Sequence, residues 1–195
     1  MIVERKRELR RELAIRRRAL PPTRRERAGA SFRDILLDQP ELESAAYVAA
    51  YISVGSEPET TPLLEALSRR GRAVLLPVTL PDMTLDWAPY AGPDSLAEGP
   101  HGLREPAGER LGPEAVCEVD AVVLPALAVD RTGLRMGRGG GCYDRVLAKL
   151  PDTTFSCVLV YEHELVDEVP AEPHDRRVRA AATPAGLHRF VPPSR

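Results

Sequence analysis

An apolar run followed by a glycine-rich loop restricts the fold of this chain more than any other stretch. Residues 120–129 are almost entirely apolar, and residues 137–141 have the sequence Gly-Arg-Gly-Gly-Gly. Residues 146–150 then show helical apolar spacing, which stops at Pro151. This order is typical of a buried strand, a tight loop and a helix. It favours a domain in which strands and helices alternate.

The glycine-rich loop also predicts an anion site. Glycines allow successive backbone N–H groups to converge on one anion, and the following helix points its free N–H groups at the same place. Arg135 and Arg138 add guanidinium groups that suit phosphate or carboxylate oxygens. A plain tight turn is the other interpretation of the glycines, but the two arginines and Asp144 favour anion binding. The loop lacks the lysine of a Walker A loop, and Cys142 stands at the last glycine position of a dinucleotide fingerprint.

Helical and strand patterns alternate along the rest of the chain. A capping box at residues 23–26 predicts the start of a second helix, and residues 101–106 have a turn-like composition. At 195 residues, we expect one domain with an open, largely parallel sheet flanked by helices, and ligands at the carboxyl ends of its strands. The predicted helices are 4–20, 23–39, 62–71 and 113–118, and the predicted strands are 45–54, 72–78, 85–88, 120–129, 154–161 and 177–182.

Composition excludes several classes of protein. No apolar run is long enough to span a membrane and the first residues are charged, so we expect a cytoplasmic protein. The three cysteines are widely spaced, which gives no disulfide framework and no metal knuckle. His163 begins a sequence like that of a zinc-protease helix, but Asp167 stands where the second histidine would be needed.

The basic residues are concentrated at the start of the chain. Residues 1–27 contain 11 Lys/Arg and 4 acids, a net charge of +7, which leaves 16 against 25, or −9, for the remainder. This basic helix has three interpretations: a solvated surface, a nucleic-acid contact, or one wall of an anionic ligand site. Lys6 is one of only two lysines and lies four residues from Arg10, hence on the same helical face. That spacing favours a ligand site.

Two acidic residues follow the first predicted strand. Glu57 and Glu59 stand just before the helix that begins near Pro62, where carboxylates commonly complement the helix dipole. Judged locally, that interpretation is favoured for both. The loop-rich residues 79–112 follow, and loops over an α/β sheet often build the ligand site.

With these residues in view, the chain resembles the 5-formyltetrahydrofolate cyclo-ligase family, also called 5,10-methenyltetrahydrofolate synthetases. The resemblance covers nearly the full length. It rests on Lys6-x-x-x-Arg10, on Glu-Pro-Glu-Thr at 57–60, on Gly-Leu-Arg-Glu-Pro at 102–106, and above all on the apolar run 124–130 with the glycine-rich segment 135–145. The last of these is highly specific.

The resemblance implies a ligase of one-carbon metabolism that converts 5-formyltetrahydrofolate and ATP to 5,10-methenyltetrahydrofolate, ADP and phosphate, with Mg²⁺. The formyl oxygen would attack the γ-phosphorus of ATP, N10 of the folate would close on the activated carbon, and phosphate would leave. It also implies a NagB/RpiA/CoA-transferase-like fold, in which residues 1–195 form one cyclo-ligase domain and helix 4–20 contributes to the ATP site. Phosphoryl transfer requires charge neutralisation and in-line positioning, which suits these residues.

The same resemblance implies roles for individual residues. Arg138 and Arg135 would be catalytic, with Arg138 closest to the transferred group, and Asp144 and Asp175 would hold Mg²⁺ as hard oxygen ligands. The folate would bind Ile52, Glu57, His101 and Tyr143, so the resemblance overturns the local interpretation of Glu57. ATP would bind Lys6, Arg10, Arg135, Met136, Gly137, Arg138, Gly139, Gly140, Gly141, Cys142 and Tyr143.

The chain departs from the family pattern at four positions. Cys142 replaces a second aromatic residue and removes one stacking surface, and His101 stands where Phe, Tyr or Trp is more usual. Glu59 replaces a more usual Asp. Arg179 stands where an acid is common after the Asp175 motif, which bears on the second metal ligand.

Two other functions compete with the ligase. One is a nucleotide- or nucleic-acid-binding protein that uses the basic N-terminal helix, without folate chemistry; the few aromatic residues and the net charge of −2 count against it. The other is a sugar-phosphate or acyl-transfer enzyme on a similar scaffold. We therefore expect 5-formyltetrahydrofolate as the partner, with neither nucleic acid nor membrane. The sequence indicates no oligomeric state, polyglutamate preference or order of substrate binding.

Overall fold

A computed structural model describes residues 1–99 and 102–190 of the protein. The helices are α1 (Ile2–Arg18), α2 (Pro22–Leu37), α3 (Pro40–Ser44), α4 (Thr61–Arg69) and α5 (Cys142–Lys149), with 3₁₀ turns at Pro93–Ser95, Pro113–Glu118 and Glu162–Glu164. The strands are β1 (Tyr47–Ala49), β2 (Ala73–Thr79), β3 (Leu85–Pro89), β4 (Leu96–Glu98), β5 (Arg104–Pro106), β6 (Ala121–Pro125), β7 (Ala128–Asp130), β8 (Arg135–Met136), β9 (Phe155–Leu159), β10 (Leu165–Val166), β11 (Ala180–Thr183) and β12 (Gly186–Arg189).

A seven-stranded sheet with the order β12-β11-β9-β6-β1-β2-β3 forms the centre of the molecule. The five inner strands pair in parallel, and the edge strands β3 and β12 are antiparallel to their neighbours. The predicted open, largely parallel sheet is confirmed, whereas the NagB/RpiA/CoA-transferase-like label stays a prediction. None of the helices in the described residues is long and apolar enough to cross a bilayer.

The order of the strands opens a crevice between β1 and β6. From β1 the chain adds β2 and β3 on one side, then returns to add β6, β9 and β11 on the other. Strands β1 and β6 are neighbours, paired at Val48 with Ala121. The connections that leave them run to opposite sides of the sheet. Ligands of open α/β sheets bind at such a switch point, outside the carboxyl ends of the strands.

Helices cover both faces of the sheet. On one face α2 and α4 bury Phe32 and Leu67 against β1, β2 and β9, and on the other α5 buries Val146 with Trp87 and Val158. Helix α1 is the exception, because it packs on a separate three-stranded sheet of order β10-β7-β8, where Leu13 is buried. This small sheet brings the basic helix to the edge of the crevice.

Two predicted strands are shorter in the structure than their apolar runs. The predicted strand 45–54 ends at Ala49, although the Ala50 N–H still donates to the Leu75 carbonyl at 2.9 Å. The predicted strand 120–129 breaks after Pro125, where the chain leaves β9 and the Leu127 N–H donates to the Met136 carbonyl at 2.7 Å. Both breaks fall at the crevice, where the apolar residues line a cleft and do not extend the sheet.

Two local predictions were wrong. Thr23 does not cap α2, because the helix begins one residue earlier, with Pro22 in its first turn. The turn-like stretch includes the strand β5, which pairs with β4. Strand β12 was missed. It begins at Gly186, where the chain folds back and pairs with β11.

Candidate active site

A cleft of about 340 Å³ lies at the carboxyl ends of β1, β2 and β6. It is the crevice that the strand order creates, and it collects almost all of the predicted site residues. His101 lies outside the described residues. The predicted residues that line the cleft are Lys6, Arg10, Ile52, Glu57, Arg135, Met136, Gly137, Arg138, Gly139, Gly140, Gly141, Cys142, Tyr143, Asp144 and Asp175.

The glycine-rich loop joins β8 to α5 along one wall. Gly139 and Gly141 have φ angles of 108° and 67°, a left-handed region that strains residues with a Cβ, and Gly141 is the N-cap of α5. Arg10 lies against this loop: its Nε donates to the Gly137 carbonyl at 2.9 Å. Arg10 therefore holds the loop in place, a contact that the sequence did not indicate.

Arg135 is buried beside the loop with unused hydrogen-bond donors. The residue is 4% exposed, and its Nη2 lies 2.9 Å from Asp144 Oδ1. Nε and Nη2 are nevertheless buried without a hydrogen-bond partner. Burial lowers the pKa of Arg135 although the charge of Asp144 acts to raise it. A buried guanidinium with an incomplete set of hydrogen bonds is costly unless a further acceptor completes them, so Arg135 is a candidate for binding an anionic ligand.

Arg138 forms an ion pair across the cleft with Glu57. Its Nη2 lies 2.9 Å from Glu57 Oε1, and the Arg138 side chain is 62% exposed while that of Glu57 is 10% exposed. The other carboxylate oxygen of Glu57 accepts the Val54 N–H at 2.9 Å. The carboxylate is thus held by its own turn, and the arginine reaches over to it.

Lys6 is enclosed by two acidic residues. Its Nζ lies 2.7 Å from Glu172 Oε2 and 2.6 Å from Asp175 Oδ2, and its side chain is almost fully buried. Burial acts to lower the pKa of Lys6, but the hydrogen bonds to Asp175 and Glu172 outweigh it, so the pKa is raised and the lysine stays charged. Glu172 lines the cleft and was not predicted, because 166 residues separate it from Lys6 in sequence.

The two predicted metal ligands lie at one corner of the cleft. Asp144 Oδ1 accepts the N–H of Arg176, the residue after Asp175, at 3.1 Å. Among residues 1–99 and 102–190 there is no cluster of three metal-ligating side chains. Two carboxylates fit Mg²⁺, which usually takes only one or two together with substrate phosphates. Arg179 is exposed and its N–H donates to Ser156, so it does not line the cleft beside Asp175.

The remaining substrate candidates form the less polar part of the cleft. Tyr143 stands in the first turn of α5, where burial and then the charge of Glu57 raise the pKa of its hydroxyl. Ile52 follows β1 and faces the same space together with Leu85 and Leu103. Cys142 is half-buried, with Sγ 3.8 Å from the Gly140 carbonyl. This part of the cleft is mainly apolar and lies beside the part that is lined by Lys6, Arg10 and Arg135.

Sequence reasoning missed the group that fixes α1 to the cleft. Arg17 donates from Nε and Nη2 to the two oxygens of Glu164, both at 2.6 Å, and from Nη2 to the Ala126 carbonyl at 2.6 Å. Ala126 belongs to the turn that follows β6 and lines the cleft. A signal was present, because Arg17 lies four residues after Leu13 on the apolar stripe of the helix.

A second missed contact fixes the far end of the glycine-rich loop. Arg145 Nη2 donates to the carbonyl of Met83 at 2.6 Å and approaches that of Gly140 at 3.4 Å. Met83 has a φ of 64°, the only positive value at a non-glycine residue in the described part of the chain. The β2–β3 turn is thereby tied to the loop, and it closes the cleft on that side.

Comparisons with known proteins point to one family. A model of the 5-formyltetrahydrofolate cyclo-ligase family matches residues 2–184. The chain is 41% identical over 184 residues to a 5-formyltetrahydrofolate cyclo-ligase of Mycolicibacterium smegmatis, covering 92% of this chain and 93% of that one. It is 31% identical to the protein of the same name from Escherichia coli K12, over 87% and 95% of the two chains. An Aquifex aeolicus 5,10-methenyltetrahydrofolate synthetase structure superposes with a TM-score of 0.83, at 27% identity over 97% and 95% of the chains.

Proposed function

The chain belongs to the 5-formyltetrahydrofolate cyclo-ligase family, and on this premise we propose that it converts 5-formyltetrahydrofolate and ATP to 5,10-methenyltetrahydrofolate, ADP and phosphate. The observation that carries the ATP part is Arg135, a buried guanidinium with unsatisfied donors beside a glycine-rich loop. Phosphate oxygens supply the acceptors that this group lacks. We further propose that the protein is a single domain acting in the cytoplasm.

We assign the phosphates of ATP to the basic side of the cleft. Lys6 and Arg10 come from α1, Arg135 from β8, and the backbone N–H groups from the loop before α5. The N-terminus of α5 adds a favourable partial charge for an anion. Asp144 and Asp175 would hold Mg²⁺, which would neutralise part of the phosphate charge.

We assign the transferred phosphoryl group to Arg138. This arginine belongs to the glycine-rich loop, and its exposed side chain reaches into the cleft as far as Glu57. As the formyl oxygen attacks the γ-phosphorus, charge shifts to the leaving ADP oxygen, and positioned cations stabilise that distribution. Ring closure by N10 on the activated carbon then expels phosphate, so each step needs charge neutralisation more than a protein nucleophile.

We assign the folate to the opposite side of the cleft. Glu57 is a fixed acceptor suited to the N–H groups of a pterin, and Ile52 and Tyr143 offer flat apolar contacts beside it. His101 is proposed for the same ring from its position in the sequence. Because Glu57 and Arg138 face each other at 2.9 Å, the two substrates would meet where transfer has to occur.

The test is the near-ultraviolet absorbance of the methenyl product formed from 5-formyltetrahydrofolate and Mg-ATP. We expect an ATP-dependent rise in wild type and a fall in kcat of about a hundredfold or more in Arg138→Ala. Arg131→Met is the matched control, because Arg131 is exposed and pairs only across the surface with Asp167 in the described structure. Absence of product from folded wild type contradicts the function, and an unchanged kcat in Arg138→Ala removes this residue from the mechanism.

A further inference from the structure

The two groups assigned to different substrates are bound to each other in this structure. Arg138 Nη2 lies 2.9 Å from Glu57 Oε1. We propose that Arg138 couples the two binding events: it holds Glu57 while the nucleotide position is empty and releases it when the phosphates of ATP attract the guanidinium. The proposal rests on the proposed function and adds to it a positive coupling between nucleotide binding and folate binding.

The pair is asymmetric, so it is clear which partner moves. Glu57 is 10% exposed, and two hydrogen bonds to Val54 fix its turn. Its Oε2 accepts the Val54 N–H at 2.9 Å and its own N–H donates to the Val54 carbonyl at 3.1 Å. Arg138 is 62% exposed and stands between Gly137 and Gly139. A fixed carboxylate and a long exposed side chain mean that Arg138 leaves and Glu57 stays.

The phosphates of ATP are a stronger partner for Arg138 than one carboxylate oxygen. Arginine binds phosphate with two parallel hydrogen bonds, and the terminal phosphates of ATP have more negative charge than Glu57. An ion pair with one exposed partner contributes only about 0–1 kcal/mol, so little opposes the exchange. The other cations of the cleft do not compete for Glu57, because Lys6 is bound to Glu172 and Asp175 and Arg10 to Gly137.

Release changes what Glu57 offers to the folate. A mostly buried carboxylate without a counter-charge is unfavourable until a donor replaces the lost one. The N–H groups of the folate are such donors, and binding them restores the bonds of Glu57. The folate should therefore bind more tightly once the nucleotide is in place, and by thermodynamic reciprocity the nucleotide should bind more tightly once the folate is in place.

The experiment measures the Kd of 5-formyltetrahydrofolate by isothermal titration calorimetry in Mg²⁺ buffer. The protein is titrated alone, with ADP, and with an ATP analogue whose β–γ bridge resists hydrolysis. For wild type we expect the analogue to tighten folate binding by about three- to fivefold, with a smaller effect from ADP. Arg131→Met should behave like wild type, since Arg131 is exposed on the surface.

Arg138→Met separates this coupling from simple ATP binding. Without its cation, Glu57 is already free, so nucleotide-free Arg138→Met should bind the folate more tightly than nucleotide-free wild type and respond to the analogue by less than about twofold. A residue that only touched ATP would leave the nucleotide-free folate affinity unchanged. Arg138→Lys, which keeps the charge, should retain part of the coupling.

Three results would overturn the proposal. The first is a wild-type folate Kd that is the same with and without the analogue. The second is a coupling that persists in Arg138→Met. The third is a failure to bind the folate under any condition, which contradicts the proposed function as well, whereas the first two leave that function intact.

Discussion

Arg17 and Arg135 are almost equally buried, at 2% and 4% exposure, yet their surroundings differ. Arg17 is paired with both oxygens of Glu164 and with a carbonyl, whereas Arg135 has one ion pair, with Asp144, and its buried Nε and Nη2 make no hydrogen bond. Burial acts to lower the pKa of both; the bonds to Glu164 outweigh it for Arg17, whose pKa is raised, but the pKa of Arg135 is lowered. A buried charge with complete bonds holds the fold together, and one with incomplete bonds is suited to a ligand.

The largest expected effect is a loss of stability on replacing Arg17. Arg17→Met leaves Glu164 buried without a counter-charge, so we expect the free energy of unfolding to fall by about 3–5 kcal/mol. Urea denaturation followed by circular dichroism measures this change. Arg16→Met is the matched control, because Arg16 is the exposed neighbour with a 3.5 Å pair to Glu12, and should change stability by less than about 0.5 kcal/mol. Equal stability of the Arg17 and Arg16 variants would show that the Arg17–Glu164 pair does not stabilise the fold.

The next effect is a loss of activity, with a smaller loss of stability, on replacing Arg135. Arg135→Met removes a buried cation whose hydrogen bonds are incomplete. Asp144 loses its counter-charge, but its side chain is 16% exposed and still accepts the Arg176 N–H, so we expect a stability loss of about 1–2 kcal/mol, smaller than that of Arg17→Met. Activity should fall by about 10²–10³-fold, because the phosphates lose a preorganised donor. Steady-state rates of methenyl formation and a urea titration on the same samples give both values. A stability loss as large as that of Arg17→Met would show that the two arginines have the same role.

The smallest effect concerns Lys6, which combines both roles. Burial acts to raise the pKa of Asp175, but the hydrogen bond and charge of Lys6 lower it below its ordinary value of 3.8. The stability from this pair is complete above that value and is lost as the pH falls through the lower folded pKa. The Tm of wild type should therefore fall more steeply below about pH 4 than that of Lys6→Met. Parallel Tm curves for the two proteins would mean that the pair contributes nothing.

The sequence predicted residues that the fold brings together in one cleft, but it did not separate these roles. Alternating patterns, the glycine-rich loop and the spacing of Lys6 and Arg10 predict a sheet with an anion site at its edge, because these signals are local. Whether an arginine is paired depends on residues far away in the chain, as with Glu164, which lies 147 residues from Arg17. No local pattern contains that information.

The same limit explains the errors in strand length. Residues 50–54, which are apolar except for Ser53, and residues 126–127 fit a strand as well as a cleft wall. Only the course of the chain decides between the two. Glu57 shows the same ambiguity, since its local pattern favours a helix-dipole role whereas the fold places it opposite Arg138. Functional residues at strand ends are thus the ones that periodicity describes least well.

The docking of α1 on the small sheet has a consequence for how the protein is made. The helix leaves the ribosome long before its partners, because Glu164 and Asp175 lie 147 and 169 residues from Arg17 and Lys6. A nascent chain can build the β1–β2 pair early, but the surface on which α1 docks is complete only when residues 164–175 have been synthesised. A stalled or truncated product therefore lacks the ion pairs that fix α1 beside the cleft, and it leaves the apolar stripe of α1 open to chaperones and proteases.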